Sequence, residues 1–243
     1  MSKFQTVSVL GVDFIKATNA EFLQALFNDS LQRKNRFVVT ANPEIVLAAK
    51  NDPVYYQTLK TADYITADGI GIIKGAKILG TPLPERVTGY DTMLKLLEFA
   101  NQEAKKVFLV GGKPDVIKKA REKILQTYPH IKIVGAYDGY FKDDKEITQA
   151  IVQSQPDFVF AALGFPKQEN FIAKNRQLAS AIWMGVGGSF DVLAGTVKRA
   201  PNFWIKLNLE WFYRLLKEPT RFKRMLALPR YLSLVKKEAK RQK

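Results

Sequence analysis

Thr61–Tyr90, TADYITADGIGIIKGAKILGTPLPERVTGY, decides how the chain is read. Tyr64-Ile65-Thr66 has the composition of a short strand; it leads to Asp68, and Gly69-Ile70-Gly71 then opens a helix. A carboxylate held at a strand end before a helix start is a site-building arrangement, because open α/β sheets bind ligands at the carboxyl ends of their strands. The glycines let other groups approach the backbone closely. Arg86 follows on the connecting loop, and Thr88 caps the next helix. The same residues also describe an ordinary strand-to-helix turn with Asp68 as an N-cap, so the flanking sequence has to decide.

Upstream, Val7–Leu10 and Val12–Ile15 alternate around Gly11 as a small hairpin. Thr18 or Asn19 caps a helix that carries Phe22, Leu23, Leu26, Phe27 and Leu31 on one face. Phe37-Val38-Val39 reads as a buried strand running to Thr40, and Asn42-Pro43 is a cap followed by a first-turn proline. A second short helix covers Pro53–Leu59. Downstream come a helix from Thr88, a strand Lys106–Val110 ending in Gly111-Gly112, and a helix from Pro114. Then follow a strand Ile131–Ala136 running into Tyr137, a helix Glu146–Gln153, and a strand Asp157–Leu163 ending at Gly164, with Gln168 in the connection beyond. A helix Phe171–Leu178 and a strand Ala181–Val186, which runs out toward Asp191, complete the pattern. This alternation predicts an α/β fold: a Rossmann-like, mostly parallel sheet with helices on both faces. Right-handed crossovers place the strand ends on one edge. Thr40, Asp68, Gly111, Gly112, Tyr137, Gly164, Gln168 and Asp191 are expected to gather there.

The 243 residues, 47% of them hydrophobic, suffice for one such domain and an appendage. There is no cysteine, which excludes disulfides, thiol chemistry and zinc–thiolate sites. The single histidine, His130, reads as a loop residue, so proton transfer falls to carboxylates, tyrosine or lysine. No signal peptide and no run of about 18 apolar residues is visible, which predicts a cytoplasmic protein.

The formal charge is +15, unevenly spread: Lys198–Lys243 hold 14 Lys/Arg against three Glu, a net +11, leaving +4 for the rest. The pattern changes at the same place. Residues 1–195 are expected to form the catalytic α/β domain, and residues 196–243 a basic, amphipathic helical appendage. Trp204, Leu207, Trp211 and Leu215 lie near helical spacing in it, and Pro219 and Pro229 interrupt it. Aromatic and aliphatic residues among lysines and arginines suit an anionic membrane surface. They are not displayed as a stacking platform, so no nucleic-acid partner is expected. A solvated helix face is the plainer alternative.

Gly69-Ile70-Gly71-Ile72-Ile73-Lys74 approaches the dinucleotide fingerprint, but Lys74 stands where the third glycine belongs. Gly111-Gly112-Lys113 is not a nucleotide-triphosphate loop, although a diphosphate fits at the helix start that follows. No Asp-x-Asp occurs. A leaving diphosphate is therefore expected to be neutralised by arginines and backbone N–H groups, with neither metal nor organic cofactor.

Eight segments carry a resemblance: Thr40–Glu44 (TANPE), Ala67–Gly71 (ADGIG), Arg86–Gly89 (RVTG), Tyr137–Phe141 (YDGYF), Leu163–Glu169 (LGFPKQE), Gly185–Asp191 (GVGGSFD), Lys198–Pro201 (KRAP) and Leu209–Pro219 (LEWFYRLLKEP). In this order, over nearly the whole chain, they resemble the WecG/TagA/CpsF family of glycosyltransferases. The resemblance implies transfer of a sugar, with inversion, from a UDP-sugar to a lipid-diphosphate-linked acceptor. It makes Asp68 the catalytic base and Thr40 the residue beside it that positions the sugar. Asn42, Arg86, Gly111, Gly112, Tyr137, Gly164, Gln168 and Asp191 become candidate sugar or nucleotide contacts. Arg214, Arg221 and Arg224 match tail arginines that complete the site over the diphosphates.

The short chain and short tail look most like the branch that moves N-acetylmannosamine from UDP to the 4-hydroxyl of undecaprenyl-diphosphate-linked N-acetylglucosamine, a β-1,4 bond that begins the wall teichoic acid linkage unit. Other branches use N-acetylmannosaminuronic acid, glucose or galactose for capsule or exopolysaccharide, and these motifs do not separate the donors. A nicotinamide-dependent oxidoreductase and a non-enzymatic basic membrane or nucleic-acid adaptor are the readings from other classes. The partners implied are a UDP-sugar, the lipid-linked acceptor and the inner face of the cell membrane, with peripheral association; a homo-oligomer is left open.

Overall fold

The computed structural model describes residues 4–201, 203–204, 207, 210–217 and 226–241. It opens with an antiparallel hairpin, β1 (Thr6–Val9) and β2 (Val12–Ile15). Leu10 and Gly11 both take positive φ in its two-residue turn, as a tight hairpin requires. Helix α1 (Asn19–Leu31) begins on a reciprocal capping box between Thr18 and Glu21. Strand β3 (Arg36–Ala41) feeds α2 (Pro43–Asn51), where Asn42 Oδ1 accepts from the Ile45 N–H at 3.0 Å and Pro43 fills the first turn. Then come α3 (Pro53–Lys60), β4 (Tyr64–Ala67), α4 (Ile70–Ile78) and α5 (Gly89–Gln102), the last capped by Thr88. The chain continues through β5 (Lys106–Gly111), α6 (Pro114–Thr127), β6 (Lys132–Tyr137), α7 (Lys145–Ser154), β7 (Phe158–Ala162) and α8 (Lys167–Asn175). A 3-10 turn at Arg176–Leu178 leads to β8 (Ile182–Gly185) and α9 (Ser189–Leu193). Among the described residues of the basic tail, the helices Glu210–Lys217 and Ala227–Arg241 follow.

The main sheet has the order β4-β3-β8-β7-β5-β6 and every pairing in it is parallel. Its central strands are apolar on both faces, which is why they read as continuous hydrophobic runs. Phe37, Val39, Phe108, Val110, Val159 and Trp183 point into one core, with residues of α2, α3, α7 and α8. Val38, Val107, Leu109, Phe158, Phe160 and Met184 point into the other, with residues of α1, α5 and α6. The predicted fold class is therefore the observed one.

At the amino ends of the strands, polar side chains tie the layers together. Asp29 of α1 accepts from Arg36 Nε at 2.6 Å and from the Tyr64 hydroxyl at 2.7 Å, while Arg176 pairs with Asp63. Burial pushes the Asp29 carboxyl up, but the hydrogen bonds from Arg36 and Tyr64, with Lys34, outweigh it and hold the group below its ordinary value.

Two differences from the sequence reading matter for the site. Helix α8 starts at Lys167 rather than Phe171, because Gly164-Phe165-Pro166 completes the turn; Gln168 and Glu169 thus lie in the first helical turn. The C-terminal helix packs on α2 and α4, with Tyr231 and Val235 fully buried in the sheet's own core. No helix among the described residues is long and apolar enough to cross a membrane.

Candidate active site

The carboxyl ends of β4 and β3 bring the catalytic candidates together. The Asp68 N–H donates to Ala41 O at 3.0 Å, extending the ladder one residue beyond β4, and the Val87 N–H donates to Ala67 O at 3.0 Å, returning the Arg86 loop alongside. Gly69 then turns at φ 96°, a conformation that favours glycine. Asp68 Oδ2 accepts from the N–H of Gly89, the first residue of α5, at 3.3 Å. A Cβ on Gly89 would lie 2.7 Å from Thr40 Oγ1. The missing side chain is what lets α5 begin against Thr40, so Thr40 and Asp68 converge on one helix start.

The opposite wall comes from β8 and α8. Gln168 Oε1 accepts from the Gly187 N–H at 3.0 Å and its Nε2 donates to Glu169 Oε1 at 2.8 Å. A Cβ on Gly185 would stand 2.6 Å from Gln168 Nε2, so the bare end of β8 makes room for the amide. Asp191 lies in α9, and its carbonyl accepts from the Thr196 hydroxyl at 3.0 Å and the Val197 N–H at 3.1 Å.

Between these walls lies a cavity of about 580 Å³. Thr40, Asn42, Asp68, Arg86, Gly164, Gln168 and Asp191 all line it, so seven of the predicted site residues meet. The tail contributes Arg199, Trp211, Ala227 and Leu228. Arg199 is a cavity residue that the sequence reading left out of the site. Its Nη2 lies 2.6 Å from Asp91 Oδ1 and its guanidinium lies over the Tyr90 ring at 4.8 Å. Asp91 Oδ2 in turn accepts from the Thr88 hydroxyl at 2.6 Å, which anchors Arg199 to the same helix start that holds Asp68. The signal was present in the Lys198–Pro201 segment, without anything local to say where it points.

Gly111, Gly112 and Tyr137 do not line this cavity. A Cβ on Gly111 would come within 2.4 Å of the Ala162 carbonyl group, and the Gly112 N–H donates to Ala162 O at 3.0 Å. These glycines accordingly serve the close approach of the ends of β5 and β7. Tyr137 stacks on Phe108 with ring centroids 5.6 Å apart. Gly71 of the near-dinucleotide motif is covered by Pro43 and Leu228, whose side chains would lie 2.6 and 2.8 Å from a Cβ placed there; it serves helix packing. Arg221, Arg224 and the side chain of Arg214 lie outside the described residues. Among the described residues, no group of three or more Asp, Glu or His could hold a metal ion.

A parallel α/β sheet whose strand ends frame a polar cavity, with a carboxylate and a hydroxyl converging on one helix start and arginines in the lining, is the frame of an enzyme acting on a hydroxyl-rich, anionic ligand. Residues 7–243 match the glycosyl transferase WecG/TagA/CpsF family, and the chain belongs to that family of glycosyltransferases. It is 45% identical over 235 residues to the N-acetylglucosaminyldiphosphoundecaprenol N-acetyl-beta-D-mannosaminyltransferase of Bacillus spizizenii, covering 96% of this chain and 91% of the relative. The Bacillus subtilis protein of the same name is 43% identical over 241 residues, covering 98% and 94%. A Staphylococcus aureus protein of that name is 37% identical over 239 residues, covering 97% and 94%.

Proposed function

We propose that this glycosyltransferase moves N-acetylmannosamine from UDP to the 4-hydroxyl of N-acetylglucosamine on diphosphoundecaprenol, with inversion, in the synthesis of a wall teichoic acid linkage unit. The names of the relatives supply the sugar and the acceptor. The observation that carries the chemistry is the convergence of Asp68 and Thr40 on the start of α5 inside the cavity.

In this reading Asp68 takes the proton from the acceptor hydroxyl as its oxygen bonds to the anomeric carbon of the donor. The bond from that carbon to the UDP oxygen breaks in the same displacement, and UDP leaves with the electron pair. Thr40 positions the transferred sugar, and Asn42, Gln168 and Asp191 hold its polar groups. Arg86 and Arg199 meet the developing diphosphate charge, joined by Arg214, Arg221 and Arg224 of the tail. Neither a metal nor an organic cofactor takes part.

Residues 1–195 carry the sheet and the base, and residues 196–243 complete the cavity through Arg199, Trp211, Ala227 and Leu228 while turning basic and aromatic side chains to the membrane. Trp204 lies against Phe203, Phe212 and Tyr213, with Trp211 against Phe212; Phe203, Trp211 and Phe212 are exposed, and Trp211 lines the cavity. Arg230, Lys236, Lys237, Lys240 and Arg241 are exposed on the C-terminal helix. Aromatic anchors with basic residues suit reversible attachment to anionic lipid, which is where a diphosphoundecaprenol acceptor lies.

The test is a soluble lipid-diphosphate-N-acetylglucosamine analogue offered with a panel of UDP-sugars. UDP release with UDP-N-acetylmannosamine and not with the others is expected. Turnover with a different donor instead would overturn the sugar assignment, and no turnover with any would overturn the reaction. Co-sedimentation with anionic but not neutral liposomes is expected for the full chain, and its absence removes the membrane role of the tail.

A further inference from the structure

Glu169 is only 1% exposed and has no ion-pair partner among the described residues. It sits directly behind the cavity wall. The Gly187 N–H can only donate, so the Gln168 atom facing it is Oε1, and Nε2 is thereby turned toward Glu169 Oε1. Glu169 Oε2 and the Tyr55 hydroxyl on α3 are both buried. The two groups interact, though neither completes a hydrogen bond of good geometry.

We propose that Glu169 is a positioning residue: its carboxyl fixes the orientation of the Gln168 amide and, through it, the Gly187–Ser189 turn that lines the substrate cavity. The proposal rests on the reading of that cavity as the transfer site.

The charge state follows from what surrounds the carboxyl. From α3 the titratable group facing it is Tyr55, while Tyr56 and Lys60 pair with each other. Strands β3, β7 and β8, against which α8 packs, carry uncharged residues apart from Arg36, which is held by Asp29 at the far edge. Arg176 is held by Asp63, Lys174 by Asp144, and Lys167 is exposed. With no counter-ion at hand, an ionised carboxylate is costly here. Burial pushes the Glu169 carboxyl up, against the smaller opposing effects of Gln168, its own backbone and the nearby Tyr55 hydroxyl. As the neutral acid, Glu169 would still accept from Gln168 through Oε1 and would present an O–H on the side of Tyr55.

Because the folded group keeps its proton where the unfolded chain has lost it, the stabilisation is complete below the unfolded value. It is lost as pH rises through the folded value. Glutamine at this position reproduces the neutral acid's donor and acceptor, so it should be immune to that loss.

The experiment compares wild type, Glu169→Gln, Glu169→Leu and Asp68→Asn in kcat/KM and thermal unfolding across one pH series, with the analogue acceptor and UDP-N-acetylmannosamine. Glu169→Leu strands the Gln168 amide and should lose on the order of tenfold in kcat/KM. Glu169→Gln should stay close to wild type and lack the fall in rate and melting temperature that wild type shows as pH rises through the titration of Glu169. The proposal is overturned if Glu169→Gln is as impaired as Glu169→Leu, or if it keeps that wild-type fall. Where Glu169→Leu does not fold, the pH comparison of wild type with Glu169→Gln decides alone. Full activity in Glu169→Leu with a dead Asp68→Asn sinks the positioning role only, whereas an active Asp68→Asn sinks the reading of the cavity itself.

Discussion

Tyr231 is where the C-terminal helix meets the sheet domain, and a double-mutant cycle with Gly75 tests that contact. The ring is fully buried, and a Cβ on Gly75 of α4 would lie 2.1 Å from its hydroxyl oxygen and 2.9 Å from Cζ. Tyr231→Ala removes a buried aromatic ring and should cost about 3–5 kcal/mol. Gly75→Ala in the wild-type background crowds a ring that has nowhere to move, at about 1–3 kcal/mol. Helix propensity returns about 1 kcal/mol of that, so the net change is roughly 0–2 kcal/mol unfavourable. In the Tyr231→Ala background the overlap is gone and the propensity gain remains, so the same substitution should stabilise by about 1 kcal/mol. The expected coupling is therefore about 1–3 kcal/mol, read from urea unfolding of the four proteins. Additive effects, within a few tenths of a kcal/mol, would refute the docking of this helix on α4. Tyr231→Phe is a companion test. The hydroxyl is buried without a hydrogen-bond partner among the described residues, and burial together with Glu238 raises its pKa. Losing it should be neutral or raise the melting temperature by about 2–4 °C.

Three further outcomes are expected. Arg199→Gln breaks the half-exposed pair with Asp91, so stability should fall by less than about 1 kcal/mol, while transfer should fall by at least about tenfold if the guanidinium meets the diphosphate; steady-state kinetics beside a melting curve separate the two. The stability gap between wild type and Asp29→Asn should be widest near neutral pH and close as pH falls through the depressed folded value of Asp29, which acid titration of the two melting temperatures checks. Transfer should be undiminished by EDTA, and loss on chelation that Mg²⁺ or Mn²⁺ restores would show a metal in the reaction.

The elements most legible in the sequence were those written by local chemistry. Thr18, one of the two caps the sequence offered, Asn42 with Pro43, and Thr88 each mark a helix start through caps that need no tertiary contact. The two-faced strands announce a covered parallel sheet. Asp68 was readable because strand, carboxylate and glycine are consecutive. Arg199 was not, since its placement depends on Asp91, 108 residues away. The glycines at 111 and 112 read as a phosphate cradle, and nothing local showed that Gly111 would lie against the backbone of Ala162 or Gly112 beside Val116. In the C-terminal helix the charge drew attention first. Leu228, Tyr231 and Val235 nevertheless sit three and four residues apart, the spacing of a buried stripe, and Leu228 and Tyr231 meet Gly71 and Gly75 of α4.

The most direct test of the account is the turnover of Asp68→Asn. Asparagine keeps the size of the side chain and can still accept from the Gly89 N–H through its carbonyl oxygen, but it cannot take a proton from the acceptor. The account predicts a loss of at least about 10²-fold in kcat, with UDP-sugar binding and melting temperature little changed. Turnover near the wild-type rate would contradict it.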